Sequence, residues 1–120
     1  MNINNDGSYS TFIKAGDYIF ISGQVGFTDM DIGKEIEGIE GQTIHCLHKI
    51  ESIMYSLGLS MTNLVKVTVF LRNMDDFPKM NEAYQSCFGE KKPARSTIVT
   101  DLVNPKMLVE IECIAYAAST

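Results

Sequence analysis

An arginine and two glutamates set into otherwise apolar segments are the residues of this 120-residue chain best placed to do chemistry. In KKPARSTIVT (residues 91–100), Arg95 opens a run of strand-forming residues. Glu110 and Glu112 interrupt MLVEIECIAYA (107–117). Glutamate is disfavoured in strands and costly to bury without a partner, so its presence there calls for a reason. A planar guanidinium can fork two donors onto a carboxylate, and a glutamate beside it can hold and deprotonate a water. Together they would bind a small organic acid and hold a water beside it. A plainer reading is that Arg95 neutralises Glu110 or Glu112 at a partly wet sheet edge. Residue types alone leave both open.

The elements that position these side chains follow from periodicity. Residues 9–14 and 17–23 read as two short strands hairpinned about Ala15-Gly16-Asp17. The polar, glycine-punctuated segment from Phe27 to Gln42 predicts a loop with at most a short strand. Ile44, Leu47, Ile50, Met54 and Leu57 recur at helical spacing over 41–57, with Gly58 placed to cap. LVKVTVFL (64–71) alternates as a strand with one well-buried face and is expected near the centre of a sheet. Asp75 or Asp76 can cap a second helix with Pro78 in its first turn, burying Phe77, Met80, Tyr84 and Cys87 before Gly89. Strands at 95–100 and 107–117 flank a turn at Asn104-Pro105 and are expected to pair antiparallel. A loop centred between Val103 and Asn104 sets Arg95 opposite Glu112 and Thr97 opposite Glu110, all four on one face. The order of elements predicts one α+β sandwich over residues 1–120, with two helices on one side of one sheet. The other face would be apolar and uncovered, which implies partners, most simply copies of the chain.

Composition narrows the class. Fifteen acidic residues against ten basic, with the basic ones scattered, disfavour nucleic acid as a partner. Cys46, Cys87 and Cys113 are odd in number and far apart, which suits free thiols in a reducing compartment. The first ten residues do not read as a signal peptide, and no apolar run reaches the length of a membrane span, so a cytoplasmic protein is expected. His45 and His48 share a helix turn without a third ligand, and no metal is assigned.

SGQ at 22–24, VKVTVFL followed by DDF and MNEAY, PARST at 93–97 and LVEIECIA at 108–115 together resemble the YjgF/RidA family of imine deaminases, once labelled L-PSP endoribonucleases. The resemblance runs in unbroken order from Tyr9 to Tyr116. It implies a chorismate-mutase-like fold with a mixed, mostly antiparallel sheet, assembled as a homotrimer with sites between subunits. It also implies hydrolysis of 2-imino or enamine acids such as 2-aminoacrylate and 2-aminocrotonate to 2-oxo acids and ammonia, without cofactor or metal. By motif, Arg95 binds the substrate carboxylate and Glu110 holds the attacking water, while Tyr9, Gly23, Asn81 and Thr97 match the remaining pocket positions. Thr97 stands where many members have cysteine, and Ser8 and Gly26 stand where prolines are frequent. Two other functions accompany the resemblance: a trimeric module binding small carboxylic acids, and the historical nuclease or translation-inhibitor role, which the acidic balance disfavours.

Overall fold

The computed structural model describes residues 7–28, 31–35 and 38–118. Strands β1 (Phe12–Ala15) and β2 (Tyr18–Val25) form the expected hairpin. It turns at Gly16, whose φ of 62° suits a residue without Cβ. Strands β3 (Phe27–Thr28) and β4 (Asp31–Glu35) make a separate two-stranded ribbon, more than the single short strand expected there. Helix α1 (Gly38–Ser56) begins before the expected residue 41. It closes at Gly58, where the Gly58 and Leu59 amides donate to the Tyr55 and Met54 carbonyls at 3.0 and 2.9 Å. Strand β5 (Leu64–Leu71), helix α2 (Phe77–Ser86), strand β6 (Ala94–Val99) and strand β7 (Val109–Tyr116) follow.

The main sheet has the order β1-β2-β7-β5-β6. β7, not β5, is its middle strand, and it runs antiparallel to both β2 and β5. β6 pairs parallel with β5, so the antiparallel β6–β7 pair expected from sequence does not exist. The reason is the connection through α2. Strand, helix, strand is a crossover unit that lays β6 parallel beside β5, and a turn at Asn104-Pro105 reverses the chain without choosing its neighbour. Segment 100–108 then carries the chain past the end of β5, where Thr100 donates to the Leu71 carbonyl and Arg72 to that of Leu108, both at 3.0 Å.

Opposed residues on adjacent strands share a face. Val67, Arg95 and Cys113 are level with one another, as are Val69, Thr97 and Ile111. These face the helices, because Val67, Val69, Ile111 and Cys113 belong to the core with Leu47, Ile50 and Met54 of α1 and Met80 and Tyr84 of α2. Phe77 and Cys87, expected to be buried with them, are partly exposed. Thr68 lies level with Ser96 and Glu112, and Phe70 with Ile98 and Glu110, on the opposite face. Ile13, Tyr18, Phe20, Ile98 and Tyr116 leave that second face 40–54% exposed at each position, which is the uncovered apolar surface the sequence predicts.

Two further features follow from burial. Cys46 and Cys113 are buried free thiols, and desolvation pushes each up to about 12. Arg72 fastens the β6–β7 connection: Nε donates to the Met107 carbonyl at 2.7 Å, and Nη2 donates to those of Leu102 and Asn104 at 3.2 and 2.9 Å. Its ion pair with the fully exposed Asp101 at 3.7 Å adds little, so the carbonyl bonds carry the effect. Arg72→Ala is expected to lower stability by about 2–3 kcal/mol in denaturant unfolding, while Asp101→Ala leaves the midpoint almost unchanged.

Candidate active site

On the helix-covered side, α2 presents Phe77, Asn81 and Tyr84 at i, i+4 and i+7, one stripe of its surface, toward β6. Arg95 lies against that stripe. Its Nη1 donates to Asn81 Oδ1 at 2.8 Å, and its Cζ sits 4.7 Å from the Tyr84 ring centroid and 5.7 Å from that of Phe77. Among the described residues no carboxylate is within ion-pair distance of this guanidinium. Its hydrogen-bond partner is a neutral amide, which orients it without cancelling its charge. Thr97, two residues along the same face of β6, holds a buried hydroxyl with no partner among the described residues.

On the open side, Glu110 of β7 is half-buried beside the irregularity of β2 between Ile21 and Gln24. Gly23 lies in that irregularity, and a Cβ built there would overlap the Glu110 carboxylate, with Cδ 2.9 Å away. The glycine thus makes room for the acid. Burial, and secondarily the nearby Glu112, raises the pKa of Glu110 above the usual carboxylate range. Tyr9, half exposed, precedes the Ser10 and Thr11 carbonyls, which accept hydrogen bonds from the Ser22 hydroxyl and amide at 2.6 and 2.9 Å. This holds the tyrosine's segment alongside Gly23.

The six residues singled out by motif therefore form two groups: Arg95, Asn81 and Thr97 on the helix side, and Glu110, Gly23 and Tyr9 toward the other. The expectation that Arg95 and Thr97 share a face with Glu110 and Glu112 is overturned, because β5 lies between their strands and its register sets them on opposite faces. Two strand spacings sideways and three residues along put the Arg95 and Glu110 backbones about 14 Å apart, with side chains diverging. The plainer reading of Arg95 as an internal neutraliser of these glutamates falls with it. Nor can both residues of one chain reach one small acid. Sequence reasoning placed Tyr84 and Phe77 in the core and missed their contact with Arg95. Their shared helical stripe with Asn81 was the available signal.

Among the described residues no three of His, Cys, Asp and Glu converge as metal ligands, and no helix is long and apolar enough to cross a membrane.

The sequence matches the family model described as Endoribonuclease L-PSP over residues 2–117. A RutC family protein of Pyrococcus horikoshii is 44% identical over 111 residues, covering 92% of this chain and 87% of that protein. A Dermatophagoides farinae protein named 2-iminobutanoate/2-iminopropanoate deaminase is 30% identical over 109 residues, covering 90% and 84% respectively. Among solved structures, TdcF of E. coli with bound serine superposes with a TM-score of 0.86 at 28% identity, over 96% of this chain and 92% of that one.

Proposed function

The chain belongs to the endoribonuclease L-PSP family, the YjgF/RidA proteins, and from that membership and the state of Arg95 we propose that it hydrolyses 2-imino and enamine acids such as 2-aminoacrylate and 2-aminocrotonate. The observation that carries this is a guanidinium held by a neutral amide and two aromatic rings, with no internal carboxylate on it among the described residues. Arg95 takes the substrate carboxylate, with Asn81 fixing its orientation. An enamine first takes a proton from solvent at C3 to become the imine. Glu110 then holds a water, accepts its proton as the oxygen adds to C2, passes that proton to the nitrogen, and takes the hydroxyl proton as the C–N bond breaks and ammonia leaves. One water is consumed, and the products are a 2-oxo acid and ammonia. A protonated imine is electrophilic enough that positioning plus a general base supplies most of the acceleration.

Because Arg95 and Glu110 of one chain cannot share a substrate, the site assembles between copies. One copy contributes Arg95, Asn81 and Thr97, and its neighbour contributes Glu110, Gly23 and Tyr9. The exposed apolar sheet face, carrying Glu110, supports this, and we propose the homotrimer of the family as the assembly, working in the cytoplasm.

Gly23→Ala is expected to push the Glu110 carboxylate aside, since the carboxylate is the movable end of a side chain. Turnover should fall by about 10²-fold with the melting temperature nearly unchanged, read from paired kinetics and thermal melts.

A binding module for small carboxylic acids is the second function, favoured by the serine in TdcF. The deciding assay follows 2-aminoacrylate generated by a serine dehydratase. Faster 2-oxo acid release on adding the protein supports hydrolysis. Protection from thermal unfolding by 2-oxobutyrate without any acceleration supports the module instead.

A further inference from the structure

We propose that Tyr84 is a positioning residue for Arg95: its ring sets the plane and height of the guanidinium, so that a carboxylate meets an edge already presented. This rests on the reading of Arg95 as carboxylate binder and gives a role to the last residue of MNEAY, which had none among the pocket positions. Tyr84 is only 4% exposed, and its ring is braced by Phe88, with centroids 4.7 Å apart. The Arg95 Cζ lies 4.7 Å from the Tyr84 centroid, inside the range of a cation–π contact. Asn81, one turn earlier on the same stripe, fixes the rotation about that stack through Nη1. Ring and amide together hold two degrees of freedom of a long, flexible side chain before any ligand arrives. A ligand then meets less disorder to remove. The Tyr84 hydroxyl is buried with no hydrogen-bond partner among the described residues, so the ring rather than the hydroxyl does the positioning.

Because Tyr84 also belongs to the core, truncation alone does not separate support of the fold from support of Arg95. A ring series does. Tyr84→Phe keeps the ring and serves as the reference, with its Kd for 2-oxobutyrate measured first. Replacing that phenylalanine with 4-fluoro-, 3,5-difluoro- and 3,4,5-trifluorophenylalanine drains negative charge from the ring face with little change of shape. Kd by calorimetry should rise stepwise across the series, within a total of about 2- to 30-fold, or ~0.5–2 kcal/mol. A flat series, with binding lost in Arg95→Ala, overturns the role of Tyr84 and leaves Arg95 as the carboxylate binder. Binding retained in Arg95→Ala overturns the reading of Arg95 itself, and the role of Tyr84 with it.

Discussion

Arg95→Ala is expected to reduce kcat/KM for 2-aminoacrylate hydrolysis by about 10²- to 10⁴-fold, corresponding to the loss of two charge-assisted hydrogen bonds at ~3–5 kcal/mol together. The loss should leave the fold in place. Arg95 is only partly buried on an edge strand, and what the protein itself gains from it is one hydrogen bond to Asn81 and two ring contacts. Arg95→Lys separates charge from geometry. Lysine restores a positive charge but neither the two-pronged edge nor the guanidinium's contact with the Tyr84 ring, so it should recover only a small part of the activity. Steady-state kinetics on the three proteins, with circular dichroism as the control for folding, checks this. Arg95→Ala turning over at the wild-type rate would sink the assignment.

The second large effect is at Glu110. Glu110→Gln is expected to lower kcat by about 10²- to 10⁴-fold, the usual contribution of a positioned general base, with a smaller change in KM. Its thermal stability at neutral pH should hold or rise. Burial and then Glu112 raise the Glu110 pKa, so folding favours the protonated acid. The stabilisation that goes with a raised acid pKa is present at low pH and is lost as pH rises through the folded value. A glutamine at 110 carries no charge to desolvate and escapes that loss. In the wild type the same shift places the acid limb of kcat/KM above the ordinary carboxylate range, with activity falling as pH falls through it. Glu112→Gln removes the like charge, and the limb should move to lower pH in a pH–rate profile. A limb that stays in place would show that Glu112 does not act on the base.

Much of the local structure was legible because it rests on short-range periodicity. The alternation in Leu64–Leu71 and Val109–Tyr116, the turn at Gly16 and the helical spacing through Ile50 and Met54 each depend on residues a few positions apart. Strand neighbours do not. β7 entered the middle of the sheet because both β2 and β5 offered it an edge and its alternate residues Val109, Ile111, Cys113 and Ala115 completed the core. Nothing inside residues 107–117 records that choice, whereas the strand-helix-strand order of 64–99 did carry the signal for parallel pairing. The error over faces follows from the same source, since the relation of Arg95 to Glu110 passes through the register of β5 with both. At the site, Arg95 and Glu110 stood out as charges in apolar strands, but Tyr84 did not. An aromatic stripe reads the same from sequence whether it covers aliphatic side chains or a cation.

The deep placement of the sulfur atoms has a practical consequence. Cys46 and Cys113 are buried, and desolvation holds both thiols protonated near pH 7, so peroxide or a disulfide reagent finds little nucleophile there. Cys87, nearer the surface, is also raised, chiefly by desolvation. Thr97 occupies β6 beside Arg95, so no sulfur borders the guanidinium on that strand. A preparation left in air without reductant should therefore keep its covalent structure and its turnover together.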